Sequence, residues 1–242
     1  MSSLFNLIIS QPLYNGLILL MDLLPFFDAG VIIIIFTIVI KIIILPLSIK
    51  ASKSQLEMKS AEKDLALIKE KYKDNKEEQA KKQFEYYKER GINPFAGIFI
   101  LIIQLPILIG LYRVFLKSGL PIINTTILYS FVSSPENINM VFLHLINISE
   151  KSMILAVIAG LTTYYQISLA SSPTTKNEEN APQSDLQKAM TMQMKYFFPV
   201  LMTIIAYTIS SAIALYLITS NIFAIVQEIY IRRKYHKHTL VV

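Results

Sequence analysis

Long apolar blocks are the feature of this sequence that most limits its fold. A helix needs about 20 residues, at about 1.5 Å rise each, to cross a hydrocarbon core of roughly 30 Å. The blocks 30–49 and 94–115 reach that length, and 153–170 comes close to it. With 53% hydrophobic and 17% charged residues, the chain is also too apolar for an ordinary soluble domain. The sequence therefore predicts an all-α, polytopic membrane protein.

Two further spans are predicted in the stretch 196–231, which is 36 residues long. That length is too great for one span and just sufficient for two short ones. Weak helix formers at 208–211 indicate a tight reversal near Ser210 and Ser211. The five predicted spans are therefore 29–50, 92–116, 151–171, 196–210 and 212–231.

The N-terminal segment 1–28 is predicted to be an interfacial amphipathic helix, because polar residues interrupt its apolar ones. It contains no Lys or Arg, so the positive region of a cleavable signal peptide is missing and we expect the segment to be retained. The whole chain has no cysteine. This excludes disulfides, a thiol nucleophile, thiolate metal sites and the lipid attachment point of a bacterial lipoprotein.

Basic residues predict the orientation, because short loops rich in Lys and Arg stay in the cytoplasm. Most of the 23 Lys and Arg residues lie in the segments 51–91, 172–195 and 232–242. The predicted outer side holds only Arg113, Lys117 and Lys151. We therefore expect the N-terminus outside and the C-terminus in the cytoplasm, which requires an odd number of spans and so agrees with five.

The charged segment 51–91 is predicted to form a cytoplasmic helical hairpin. Its residues Lys73 to Lys76 form the expected turn. Residues 50–90 hold 12 basic and 9 acidic residues, an excess that favours anionic headgroups but is weak as a sign of nucleic-acid recognition. Any individual Lys is more typical of a solvated face with i,i+4 pairs. We expect a docking role only for the hairpin as a whole.

Lys41 carries the most chemical information, because it lies within the first predicted span. A cation near the bilayer centre costs roughly 2.5 to 3.5 kcal/mol, which predicts that it faces a wet cavity or a partner. The acidic residues Asp28 and Glu228 lie at span ends, so neither is an obvious partner. The alternative is that Lys41 snorkels to the inner surface. About 13 Å of helix separates Lys41 from the inner end of the span, which is too far for its ammonium group to reach the surface easily.

Several uncharged polar residues also lie within the predicted spans. Each alone is more typical of contacts that hold helices together than of a binding site. Together with Lys41 they indicate a hydrated groove between helices. These residues are Gln104, Thr162, Thr163, Gln166, Tyr216, Thr219, Asn221 and Gln227.

Sequence signs of enzyme chemistry are missing. The seven glycines are scattered and form no GxxxxGK phosphate loop. The three histidines, at 144, 236 and 238, form no metal or catalytic cluster with other residues. We therefore expect no enzymatic activity, no nucleotide hydrolysis, no cofactor and no metal site.

Three motifs in the second predicted span occur in a distinctive order: Asn93-Pro94, Gln104-Leu105-Pro106 and Tyr112-Arg113. Leu45-Pro46-Leu47 ends the first span before the charged hairpin, and Leu215-Tyr216 precedes Asn221 and Gln227 in the last. In these motifs and their order the chain resembles the YidC/Oxa1/Alb3 family of membrane protein insertases. The resemblance covers about residues 12–234.

The resemblance implies five transmembrane helices around a hydrophilic groove that opens to the cytoplasm and the lipid but is closed toward the outside. Lys41 takes the place of the family's groove arginine, keeping the charge but losing the bidentate fork. Gln166 matches a groove glutamine, and Leu217 replaces a common groove tryptophan. The implied groove residues are Lys41, Gln104, Gln166, Tyr216, Leu217 and Asn221.

The function that the resemblance implies is a membrane protein insertase and chaperone in the bacterial plasma (inner) membrane. Nascent membrane-protein clients and the lipid bilayer are the expected partners, and the ribosome and a Sec translocase are further candidates. Two alternatives remain at this point. One is a small anion transporter or channel subunit, in which Lys41 selects anions. The other is a structural assembly partner, in which Lys41 can be neutralised without consequence.

Overall fold

The computed structural model describes residues 2–93, 96–116, 120, 122–171 and 193–239. In these residues α-helices predominate, which confirms the predicted all-α class. The helices are α1 (Ser2–Phe5), α2 (Gln11–Leu23), α3 (Ala29–Ser60), α4 (Glu62–Lys71), α5 (Lys76–Arg90), α6 (Ala96–Leu116), α7 (Met153–Ser171), α8 (Phe198–Ile209) and α9 (Ser211–Thr239). Two π-helical turns (Asn6–Ser10 and Gln193–Phe197), a 3-10 turn (Thr125–Ile127) and strands β1 (Val141–Phe142) and β2 (Ile146–Asn147) complete the described structure.

Three helices in the described part of the chain are long and apolar enough to cross a membrane. Their apolar stretches are Ala29–Met58, Met153–Ala170 and Ser211–Lys234. Helix α6 contains a shorter apolar stretch, Gln104–Phe115. Helix α8 has 12 residues, so it is about 18 Å long and shorter than a core of roughly 30 Å. The protein is thus a helical membrane protein, and the count of five spans stays a prediction.

Helix α3 continues without a break through residue 50, where the first span was predicted to end, as far as Ser60. Residues 51–60 are mostly good helix formers and include neither Gly nor Pro. Pro46 lies inside the helix, where its ring removes one backbone donor. The predicted hairpin is therefore a direct extension of the first long apolar helix.

The hairpin consists of α4 and α5, and the residues between them, 72–75, overlap the predicted turn. Asn75 caps α5 by accepting a hydrogen bond from the Glu78 backbone N–H at 3.1 Å. Gly91 ends the helix in the left-handed conformation, with φ at 63°. The Tyr86 hydroxyl joins the two helices by donating to the Asp64 carboxylate at 2.6 Å.

The central packing unit is formed by α9 with its neighbours α7 and α3. Helix α6 packs on α3, and α8 packs on α7. Small residues allow close approach on α7, where Ala156 and Ala159 are fully buried. A Cβ atom at Gly160 would overlap Thr203 Oγ1 of α8. Among the described helices, the packing order is thus α6, α3, α9, α7, α8.

Helix α2 contributes one face to the main core, through Tyr14, Leu17 and Ile18. Asn15 is also buried, and its side chain bonds to two backbone groups of the loop between α6 and α7. It donates to the Ile127 carbonyl at 2.9 Å and accepts from the Tyr129 N–H at 2.6 Å. The N-terminal segment is therefore fixed to the bundle, while its interfacial position in the bilayer stays a prediction.

The loop between α6 and α7 covers the N-terminal ends of two helices. Asp28 accepts hydrogen bonds from Val31 N–H in α3 and from Leu143 N–H in the loop. Ser211, the first residue of α9, donates from its backbone N–H to the Glu150 carbonyl at 2.8 Å. The strands β1 and β2 form a short antiparallel hairpin in this loop. The sequence did not predict these strands, because two-residue strands have no recognisable periodicity.

Some predicted features fall outside the described residues. They include residues 172–192 of the predicted loop 172–195, Pro94 of the Asn93-Pro94 motif and Lys117 of the outer loop. The break between α8 and α9 does lie in the described part, at Ser210, whose extended backbone (φ −169°, ψ 163°) separates the two helices. It coincides with the predicted reversal.

Candidate functional site

Lys41 lies in the middle of the apolar part of α3, 12 residues after its first residue and thus about 18 Å along the helix. Its side chain is half-buried. The ammonium Nζ donates a hydrogen bond to Oε1 of Gln104 in α6, at 3.2 Å. The cation that the sequence placed within a span therefore faces another helix.

Gln104 connects Lys41 to a third helix. Its amide nitrogen Nε2 donates to the hydroxyl of Tyr216 in α9, at 2.6 Å. Tyr216 is fully buried, and its hydroxyl is also hydrogen-bonded to Ser220 one turn further on. The structure thus brings together three of the predicted groove residues, Lys41, Gln104 and Tyr216, in one polar chain across α3, α6 and α9.

No carboxylate neutralises Lys41 within the described part of the chain, where Gln104 is its one hydrogen-bond partner. The two acidic residues at span ends are engaged elsewhere. Asp28 accepts from the backbone N–H groups of Val31 and Leu143 near the N-terminal end of α3. Glu228 pairs with Arg232 at 2.8 Å. The positive charge of Lys41 is therefore held by a neutral amide.

Asn221 lies apart from this polar chain and bonds to α7. Its amide nitrogen donates to Thr163 Oγ1 at 2.8 Å and to Thr162 Oγ1 at 3.1 Å. In the structure, therefore, Asn221 has the helix-joining contacts that are the ordinary role of such residues in membranes. Because these contacts use the amide nitrogen, the side-chain carbonyl oxygen is the atom of Asn221 left to serve its predicted groove role.

Gln166 and Leu217, which the family resemblance placed in the groove, are not part of the Lys41 chain. Gln166 is half-buried on α7. Leu217 is 3% exposed and belongs to the main apolar core. Leu217 is thus a core residue in this structure, and a contact of either residue with a client stays a prediction.

Three polar contacts were missed by the sequence reasoning. On α3, Ser48 and Ser52 lie one turn apart and contact Gln227 of α9, with the Gln227 amide nitrogen 2.8 Å from Ser48 Oγ. Arg232 donates to the Leu169 carbonyl at the end of α7, at 2.6 Å. The i,i+4 spacing of the serines is a signal that could have identified them. The Arg232 contact joins distant segments and has no local signal.

In the described ranges, no group of three His, Cys, Asp or Glu side chains is arranged to hold a metal ion. The candidate site is therefore one of charge and hydrogen bonding. A site of this kind can attract and orient an anionic group.

The sequence also matches a family model and several named proteins. The model of the family described as 60Kd inner membrane protein matches residues 22–238. A protein from Fusobacterium nucleatum named membrane protein insertase YidC is 33% identical over 205 residues, which cover 85% of this chain and 86% of that protein. A protein of the same name from Clostridium tetani is 31% identical over 215 residues, or 89% of this chain and 86% of that protein.

A longer relative is also similar. The membrane protein insertase YidC of Francisella tularensis subsp. novicida is 30% identical over 206 residues, which cover 85% of this chain but 33% of that protein. The YidC family is not an enzyme family in the usual sense. The chain belongs to the 60Kd inner membrane protein family, the YidC/Oxa1 family of membrane protein insertases.

Proposed function

We propose that this insertase receives the polar, acidic part of a client at Lys41 while the client's apolar segment enters the lipid. Its membership of the insertase family favours insertion over the transporter and assembly-partner alternatives. The observation that carries the mechanism is the cation at mid-span, held by the neutral Gln104 amide at 3.2 Å. A cation without a carboxylate partner remains free to attract one.

The magnitudes are consistent with this role. Burying an aspartate at the centre of a spanning helix costs roughly 2.5 to 3.5 kcal/mol. A carboxylate about 4 Å from an ammonium gains about 4 kcal/mol at an effective dielectric constant of 20. Lys41 has three N–H donors and uses one of them for Gln104. The remaining donors can therefore offset most of the cost that an acidic client tail meets inside the bilayer.

The rest of the process requires no energy-coupling site. Each apolar residue of a client segment contributes favourably to insertion. Once the polar tail has passed Lys41, the apolar segment can therefore enter the lipid spontaneously. The proposed role of the protein is to lower the barrier for the tail, without nucleotide hydrolysis.

The proposed location is the bacterial plasma membrane, with the N-terminus outside and the C-terminus in the cytoplasm. The excess of Lys and Arg in the hairpin and the C-terminal tail supports this orientation, and the relatives described above are bacterial. In this orientation the α4–α5 hairpin projects into the cytoplasm. Its exposed charged surface is the proposed contact for the ribosome or a Sec translocase that delivers clients.

The test is insertion of a small client with an acidic outer tail into proteoliposomes that contain the wild type, Lys41→Arg, Lys41→Ala or Lys41→Glu. We expect the Arg variant to insert the client and the Ala and Glu variants to fail. Lys88→Ala, which removes an exposed cation of the hairpin, is the matched control and should insert normally. Equal insertion by all four Lys41 proteins would remove Lys41 from the mechanism, and anion conduction without any insertion would favour a channel.

A further inference from the structure

We propose that Tyr216 is a positioning residue that acts through Gln104. Its hydroxyl turns the Gln104 amide so that the carbonyl oxygen faces Lys41, and this arrangement holds the cation in the groove without neutralising it. The inference rests on the proposed role of Lys41 and adds to it a determinant of client specificity.

The orientation of the Gln104 amide follows from the chemistry of its two partners. An ammonium has donors and no acceptor, so only the carbonyl oxygen of Gln104 can bond to Lys41. The amide nitrogen must then point the other way, where it meets the Tyr216 hydroxyl at 2.6 Å. If the amide were flipped, its N–H groups would face the ammonium and repel it. The Tyr216 oxygen accepts from the amide nitrogen in the orientation that Lys41 requires, and so it stabilises that orientation.

Tyr216 is well suited to act as a fixed reference. It is 1% exposed and lies in the part of α9 that contributes most to the apolar core. Its hydroxyl is hydrogen-bonded to Ser220 as well as to Gln104, so its position is set from two sides. Gln104, by contrast, is half-buried with three rotatable side-chain bonds. The rigid group thus orients the flexible one.

The neutrality of Gln104 matters for specificity. A carboxylate at this position would form an ion pair with Lys41 and compete directly with the client's own carboxylates. The amide fixes the direction of the ammonium but leaves its charge in place. The polar chain therefore favours clients whose tails carry carboxylates over clients whose tails carry only amides.

The experiment uses two clients that differ only in their tails, one with Asp residues and one with Asn at the same positions. The proteoliposomes contain the wild type, Tyr216→Phe, Gln104→Met or the double variant. Tyr207→Phe is the control, because it removes an exposed tyrosine hydroxyl elsewhere. The measured quantity is the ratio of Asp-client to Asn-client insertion rates. This ratio cancels changes in the amount of folded protein.

We expect Tyr216→Phe to lower the ratio by roughly two- to tenfold, the range that corresponds to the loss of one hydrogen bond. Gln104→Met should lower it at least as much. In the Gln104→Met background, Tyr216→Phe should have no further effect, because its path to Lys41 is already interrupted. Tyr207→Phe should leave the ratio at the wild-type value.

Two results would overturn the inference. If Tyr216→Phe reduced both clients equally, Tyr216 would have only a structural role. If the effects of the two variants on the ratio multiplied, Tyr216 would not act through Gln104. Failure of the proposed role of Lys41 can be told apart from failure of the Tyr216 inference. If Lys41 does not receive client carboxylates, Lys41→Met would leave the ratio at its wild-type value. A ratio that depends on Lys41 but not on Tyr216 would overturn this inference alone.

Discussion

At the scale of single residues, Lys41 was identifiable from the sequence because a charge within the apolar block 30–49 is conspicuous. Its partners were not identifiable in the same way. Gln104 is 63 residues from Lys41, and Tyr216 is 112 residues from Gln104. Whether such residues meet depends on how α6 and α9 pack against α3. The local sequence pattern does not predict that packing. The resemblance to a family supplied these residues as a set, and the geometry supplied their connections.

Substitution of Gln104 tests how the groove retains its charge. We expect Gln104→Glu to reduce insertion of an acidic client strongly, because the new carboxylate pairs with Lys41 and removes its attraction for the client. Gln104→Leu should reduce insertion less, because the charge of Lys41 remains. Insertion rates in proteoliposomes provide the measurement. A Glu variant as active as the wild type would show that the net charge at Lys41 is unimportant.

At the scale of elements, local patterns explain much of the structure. The α4–α5 hairpin follows from helix formers on both sides of the turn residues Asp74 and Asn75, and the end of α5 follows from Gly91. The loop between α6 and α7 is different. Its β1–β2 hairpin contains Leu143 and His144 with positive φ angles of 50° and 61°. The backbone N–H of Leu143 donates to Asp28 Oδ2 at 3.1 Å, a contact between distant segments that the local sequence does not show.

Alkaline titration tests the contact between α4 and α5. Burial, followed by the hydrogen bond to the Asp64 carboxylate, raises the pKa of Tyr86 to about 12. Because this pKa is above the unfolded value of about 10, the contact stabilises the hairpin fully below pH 10 and is lost as the pH rises toward 12. The absorbance of tyrosinate, compared with Tyr86→Phe, should show one group titrating near pH 12.

A change at Asp64 provides the control for that titration. Asp64→Asn removes the negative charge that opposes ionisation of Tyr86 and keeps a hydrogen-bond acceptor. The pKa of Tyr86 should therefore fall toward its ordinary value, without reaching it, because the burial remains. A Tyr86 that titrates at the same pH in both proteins would show that Asp64 does not contact it.

The close contact of α7 and α8 is tested at Gly160. We expect Gly160→Ala to destabilise the protein by about 1 to 3 kcal/mol, because the new methyl group would overlap Thr203 Oγ1. Thr203→Ala removes that oxygen, so the double variant should recover part of the lost stability. Thermal unfolding in detergent is the measurement. Equal destabilisation by the single and double variants would place the cause elsewhere.

At the scale of the whole molecule, the class and the family could be predicted from the sequence, because composition and motif order are properties of the entire chain. The membrane boundaries could not, because helices continue beyond the apolar residues. Helix α3 runs from Ala29 to Ser60 and leaves the apolar region before it ends. Helix α8 is short, at 12 residues, so whether it crosses depends on its packing against α7 and on the bilayer around it.

Single-cysteine labelling tests the five-span orientation, and the chain contains no cysteine of its own. We expect a membrane-impermeant maleimide to label Ser134→Cys and Thr208→Cys in intact cells. Lys73→Cys and Ser184→Cys should react only after the membrane is permeabilised, because both belong to predicted cytoplasmic segments. If Thr208→Cys also required permeabilisation, α8 and α9 would not each cross the membrane.

The central claim, that Lys41 receives the carboxylates of a client, is tested most directly by carbodiimide cross-linking during insertion. This reaction joins a carboxylate to a lysine amine in direct contact and does not join it to arginine. We predict an amide bond between the client's acidic tail and Lys41 in the wild type. Lys41→Arg should insert the client without forming that bond. Normal insertion with cross-links only at hairpin lysines, and none at Lys41, would contradict the account.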